Sequence, residues 1–354
     1  METVQPFSIA GEEIAPGTMR DLAFPITTMA TGNTSSLGVR VLHGARPGPA
    51  IFVSAAIHGD EIVGTAVVQR LAQTLDPQAL AGTVLLVPVA NIFGFMTHSR
   101  YLPDRRDLNR SFPGSAGGSL AGQLAHIFYR EIVGRCELGI DIHTAAIHRY
   151  NLPQIRIASG NKRLVELAMA FGAPVIIESP LRDGSLRDLA QKKGVDMLLM
   201  EAGEALRFDR LSIETGVSGV NRVLAHLGMI EADDGLTEVG IPARANKSSW
   251  VRAPRGGVTH RVRKSGDPVR KGDVLARVTG LFGDDPLELV SPIDGIIIGH
   301  ATLPVVHQGD ALFHIAAIPN PERVGARIDT ITDAILASEP EGSAERLLDE
   351  DEVV

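Results

Sequence analysis

Between residues 50 and 230 the chain alternates apolar runs of β type with amphipathic stretches of helical spacing. The runs Ala50 to Ile57, Val84 to Val89, Leu138 to Ile142, Val175 to Ile177 and Val195 to Met200 predict strands. Apolar positions three and four apart predict helices from Ile62 to Leu75, Leu120 to Ile132, Lys162 to Phe171, Leu186 to Lys193 and Leu211 to Leu227. This alternation predicts an α/β fold, a mixed sheet with helices on both faces. In such sheets functional groups collect beyond the carboxyl ends of the strands.

After about Gly235 helical periodicity stops until about residue 320, and Gly, Pro, Val and short alternating runs take over. Two stretches there repeat one another, beginning at Trp250 and Leu289. Each carries a proline (Pro254, Pro292), a glycine three residues on (Gly257, Gly295) and a later Gly-Asp-x-Leu at Gly272 and Gly309. Matched turn signals in two β-rich halves predict a small sandwich, and the pattern resembles the barrel-sandwich hybrid of biotinyl and lipoyl domains. Those carriers present a lysine on the hairpin joining the halves. The stretch TGLFGDDPLEL, residues 279–289, has none, so a structural or lid-like use is expected. The predicted organisation is an N-terminal β-rich segment (1–45), a catalytic domain (46–232), a β-rich C-terminal domain (233–318) and a terminal helix with an acidic tail (319–354).

Composition is that of an ordinary soluble protein, 44% hydrophobic and 21% charged. No apolar run approaches a membrane span and the first residues lack a secretory leader, so a cytoplasmic protein is expected. The single cysteine, Cys136, forbids an intrachain disulfide and a Cys-rich zinc site; a buried inert thiol is favoured over a catalytic one. Most of the net charge of −8 sits in residues 339–354, and no basic stripe balances it, which argues against nucleic acid as a partner. Glycine-rich phosphate cradles are absent.

Chemistry concentrates at strand ends. In AAIHGDEIVG an apolar run stops at His58-Gly59-Asp60-Glu61, and a helix starting at or just after Gly59 would let His58 and Glu61 reach one point while Asp60 points elsewhere. His-x-x-Glu alone is short enough to recur by chance. GIDIHTAA brings His143 to the end of a second strand, and two histidines with a glutamate leave a zinc ion one open position, the mark of catalytic sites. The alternative for His143 is a strand-end histidine bonded to backbone. Between them SRYLPDRRDLNRSFPG holds Arg100, Arg105, Arg106 and Arg110 with Asn109 and no lysine, either a solvated loop or a grip for a carboxylate.

HGDE, DLNRSFPG, DIHT and LLMEAGE, in this order, resemble the succinylglutamate desuccinylase and aspartoacylase branch of the zinc carboxypeptidase superfamily, over roughly residues 50–230. The β-rich C-terminal domain is also similar to that branch. The resemblance implies one Zn2+ held by His58, Glu61 and His143, with Asp107 orienting a ligand histidine. It implies that Asn109 and Arg110 hold a substrate carboxylate and that Glu201, at the end of the strand VDMLLM, is the general base. A further arginine polarises the scissile carbonyl in that branch; Arg100, Arg105 and Arg106 compete for the role, with Arg105 or Arg106 favoured. Arg156 in NLPQIR is either another substrate contact or part of a surface strand.

The expected activity is hydrolysis of an amide in an N-acyl amino acid or similar small carboxylate-bearing molecule. Two alternatives stand beside it, a metallocarboxypeptidase and a non-enzymatic binding or carrier module. Neither nucleic acid nor membrane is an expected partner, and a homo-oligomer is left open.

Overall fold

A computed structural model of the chain describes residues 4–232 and 240–337. The acidic tail and the first residues of the 233–318 region lie outside the described residues. The architecture is α/β, organised on one 13-stranded mixed sheet. Across it the order is Ser248–Arg252, Ala311–Ala317, Gly295–Ala301, Arg149–Ile157, Asp196–Glu204, Leu138–Ala145, Arg46–Ala55, Ala81–Val87, Thr34–His43 and Thr18–Thr28. The N-terminal strands Thr18–Thr28 and Thr34–His43 thus form one margin of the sheet, and strands from the C-terminal region form the other. Asp196–Glu204, Leu138–Ala145, Arg46–Ala55 and Ala81–Val87 run parallel, which aligns their carboxyl ends.

Side-chain alternation sorts the two faces. Leu138, Ile140 and Ile142 enter a core with Val67 and Leu71 of helix Val63–Thr74, Leu167 and Phe171 of Lys162–Phe171, and Val220 and Leu224 of Arg210–His226. On the opposite face Phe52 meets Phe128 of helix Leu120–Glu131 edge to face, at 5.9 Å between centroids. A Cβ at Gly139 would come within 2.2 Å of the Phe52 ring, so glycine is what admits that ring beside the central strand.

The C-terminal halves interlock reciprocally. Gly272 N–H donates to Ser291 O and Ser291 N–H to Asp273 O, while Gly309 N–H donates to Ala253 O and Ala253 N–H to Asp310 O. Each Gly-Asp turn, with glycine φ of 94° and 88°, thereby closes on the residue before the other half's proline. Besides the strands given to the main sheet, the region forms a four-stranded sheet of Leu287–Val290, Val274–Thr279, Gly257–Arg261 and Val305–Val306. The helix Pro321–Ala337 follows. No described helix is long and apolar enough to cross a membrane.

Three local expectations need correction. The helix expected from Ile62 does start at Val63, but the premise of a start at or just after Gly59 fails, because residues 58–61 form a turn in which Glu61 N–H donates to His58 O at 3.1 Å. Asp60 O is taken by Leu206 N–H at 2.8 Å, and Gly59 packs against the backbone of Gly94, so the helix cannot extend back through them. Glu201 does not end its strand, which continues through a bulge to Glu204. Finally, Arg156 is not on a surface strand: Arg149–Ile157 is an inner strand paired on both sides, with most of its residues buried.

Phe52→Ala should cost about 3–5 kcal/mol in urea unfolding, since the site is fully buried between elements that cannot easily collapse. A cost below about 1 kcal/mol would contradict this packing.

Candidate active site

The turn after strand Arg46–Ala55 carries His58 and Glu61, and the neighbouring parallel strand Leu138–Ala145 carries His143 to the same edge. His58 Nδ1 lies 2.8 Å from Glu61 Oε1 and His143 Nδ1 lies 2.7 Å from Oε2. The three residues are buried and their ligand atoms lie within 4.8 Å of one another. Each ring's outer nitrogen meets a carboxylate, His58 Nε2 at 3.2 Å from Asp107 and His143 Nε2 at 2.7 Å from Asp141. Such outer partners fix which nitrogen faces inward, the usual arrangement around a ligated metal. Two imidazoles and one carboxylate, buried and pre-oriented, fit a zinc ion.

The cluster is electrostatically matched. Burial opposes charge on His58, but the Glu61 carboxylate and bonds to Asp107 and Glu61 outweigh it and raise the imidazole above its ordinary value. Burial likewise opposes charge on His143, yet Asp141 and Glu61 push it well above that value. Glu61, against its own burial, is held far below the usual carboxylate range by the two rings. Arg100 completes the set, with Nη1 3.1 Å from Glu61 Oε1 and Nη2 3.0 Å from Asp107 Oδ2. Three carboxylates therefore face two imidazoles, whose charged forms they favour, and one guanidinium; with both rings protonated, exchanging two ring protons for a divalent cation would preserve neutrality.

The cluster opens on a cavity of about 350 Å³ lined by Arg100, Asn109, Arg110, Arg149, Arg156, Arg182, Arg187, Glu201 and Trp250. Glu201 is the register partner of His143 on the adjacent strand. Its Oε2 accepts from Asn151 Nδ2 at 2.8 Å and its Oε1 lies 3.6 Å from Arg156 Nη1. Asn109 is buried, its Oδ1 accepting from Leu186 N–H at 2.9 Å, while Arg110 beside it is exposed. Asp107 caps the short turn they share by accepting from Asn109 N–H.

Arg105 and Arg106, favoured from the sequence, do not line this cavity; Arg100 does. Leu102 N–H donates to Arg106 O and Arg105 N–H to Leu102 O, a tight turn that carries both arginines outward to exposed positions.

Four residues with roles in this geometry were not singled out by the sequence. Asp141 lies two before His143 and so shares its strand face, a signal that alternation offered. Arg187, on helix Leu186–Lys192, is drawn down to about 10 by burial and then by the like charge of Arg156. Among the described residues it has no ion-pair partner, only Ser179 Oγ at 3.3 and 3.4 Å. Asn151 had no distinguishing motif. Trp250 comes from the C-terminal region, stacked on His314 at 4.2 Å with Arg149 5.6 Å from its ring centroid.

Comparison with known proteins gives a consistent result. The pattern of the succinylglutamate desuccinylase/aspartoacylase catalytic domain matches residues 47–227. The N-alpha-acetyl-L-2,4-diaminobutyric acid deacetylase of Halomonas elongata is 28% identical over 286 residues, which span 77% of this chain and 83% of the relative. A crystal structure of a succinylglutamate desuccinylase/aspartoacylase from Rhodobacter sphaeroides superposes with a TM-score of 0.74 at 26% identity, over 84% of this chain and 96% of that one. The product-bound ectoine utilization protein EutE (DoeB) of Ruegeria pomeroyi shares the fold at 23% identity, with a TM-score of 0.76 over 89% of this chain and all of that one.

Zinc added to metal-free protein at neutral pH should release protons, so that calorimetric heats in buffers of different ionisation enthalpy diverge, and affinity should rise with pH as the raised imidazoles give up their protons. Heats independent of buffer would show the rings already neutral. Trp250 is the chain's only tryptophan, so its emission should respond when an acyl amino acid enters the cavity. An unchanged spectrum at saturation, judged by equilibrium dialysis, would place the ligand elsewhere.

Proposed function

Since this chain belongs to the succinylglutamate desuccinylase/aspartoacylase family, we propose that it is a zinc-dependent amidohydrolase that deacylates an N-acyl amino acid or a similar small carboxylate-bearing amide. The observation that carries the proposal is the buried His58, Glu61 and His143 cluster opening on an arginine-lined cavity that also holds Glu201. One ion held by that triad, when bound, would lower the pKa of a water to about 7 and polarise the acyl carbonyl.

Glu201 takes a proton from the attacking water as its oxygen bonds the acyl carbon. The C–N bond then breaks, and Glu201 returns that proton to the leaving nitrogen, giving a carboxylic acid and an amine. Asn151 on one carboxylate oxygen and Arg156 near the other hold Glu201 for both transfers. Arg100, tied to Glu61 and Asp107, is the arginine beside the cluster and takes the carbonyl-polarising role. Asn109 and Arg110 grip the amino-acid carboxylate, and the guanidinium of Arg187, without an ion-pair partner among the described residues, suits an anionic group of the same substrate.

The alternative, a carboxypeptidase, would need room for a peptide chain. Trp250, projecting from the C-terminal region into the cavity wall, favours a small substrate instead. We assign that region a barrel-sandwich-like, wall-forming role; the hairpin at 279–289 offers no lysine for a carrier group.

Glu201→Gln should lower kcat by about 10²–10⁴-fold while zinc remains bound near one per chain by metal analysis. Loss of zinc would move Glu201 among the ligands, and retained turnover would remove its role as base. On a panel of N-acetyl amino acids, N-succinyl amino acids and dipeptides, turnover of the acyl amino acids is expected; cleavage of dipeptides alone would select the carboxypeptidase.

A further inference from the structure

We propose that Asn151 is a positioning residue for Glu201 and that Gly299, on a strand of the C-terminal region, is what allows it to take that position. The inference rests on the reading of Glu201 as the general base.

Asn151 lies on Arg149–Ile157, between the strand of Glu201 and Gly295–Ala301 of the C-terminal region. Glu201 pairs with Gln154 but Gly203 pairs with Asn151, so three steps on one strand face two on the other. A register shift of this kind turns a side chain to the other face, and bulges are common beside active sites for that reason. Here it brings the Asn151 amide to the Glu201 side, where Nδ2 donates to Oε2 at 2.8 Å.

The other side of Asn151 is closed by Gly299, its register partner. A Cβ on Gly299 would sit 2.7 Å from Asn151 Oδ1 and 3.6 Å from His314 Cβ. The amide of Asn151 therefore occupies the space that any side chain at 299 would claim. Gly299 has no positive φ, so its backbone conformation does not call for glycine. Beyond it the row continues through His314 to Trp250, register partners on successive strands. The base is thus held by a donor whose own place is set by a residue outside the matched catalytic segment, which ends at residue 227.

The amide does more than fill space. By donating to Oε2 it removes rotation of the carboxylate as a source of misalignment. A displacement on the order of 1 Å in such a group can cost about 100-fold in rate.

The test is a double-mutant cycle on the zinc-loaded enzyme with an N-acetyl amino acid as substrate. Gly299→Ala and Asn151→Ala should each lower kcat by about 10- to 100-fold with KM within about twofold and zinc content unchanged. The double variant should be no slower than Asn151→Ala, because alanine at 299 acts only by displacing an amide that is already gone. Independently of activity, a crystal structure of Gly299→Ala should show the Asn151 amide more than about 3.5 Å from Glu201 Oε2. Additive effects on kcat, or an intact bond in that crystal structure, would overturn the proposal. So would full kcat in both single variants while Glu201→Gln is inactive, whereas an active Glu201→Gln would remove the reading of the base itself.

Discussion

Glu61 is a carboxylate buried at the edge of the sheet, and a charge in that position must be answered on every side. Both of its oxygens face imidazoles, Oε1 also meets Arg100, and Oε2 also accepts from Thr144 N–H. Its partners must in turn be satisfied, so Asp107 and Asp141 back the two rings and Ser54 Oγ donates to Asp141. From one buried charge a network spreads over the central strand ends and the loop between them. That network selects the inward-facing nitrogen of each histidine, the orientation in which the group could hold a metal.

The parallel strands make this convergence possible. Arg46–Ala55, Leu138–Ala145 and Asp196–Glu204 run side by side, so their carboxyl ends deliver His58, His143 and Glu201 to one edge although 142 residues of chain lie between the first and the last. Apolar alternation on the opposite face of the same strands anchors them to three helices. A one-residue slip would send Asp141 and His143 into that core, which ties the chemistry to the packing.

The cavity does not belong to the central strands alone. The main sheet runs on through Arg149–Ile157 into Gly295–Ala301, Ala311–Ala317 and Ser248–Arg252, so the C-terminal region reaches the site as continuous sheet. Trp250, seated on a His314 ring that burial and then Arg156 push down to about 3, forms part of the wall by that route. An excess of arginine over free carboxylate leaves the cavity cationic, a field suited to anionic substrates.

What the sequence determined by itself is what neighbours along the chain encode. Runs of three to eight apolar residues and helical spacing marked most central elements to within a few residues, the inner strand Arg149–Ile157 excepted, and polar clusters ending those runs marked His58, Glu61 and His143. The reciprocal turns of the C-terminal halves were likewise visible as a repeated Gly-Asp-x-Leu. The tertiary structure alone decided which of three arginines faces the cluster, because a single turn at Leu102–Arg106 sends two of them to solvent. It alone decided that Arg187 lies half-buried near Arg156, that a register shift aims Asn151 at Glu201, and that Trp250 lines the cavity. Those facts depend on the facing of side chains across strand pairs distant in sequence, and periodicity records where a residue points relative to its own element, not which remote element it will meet.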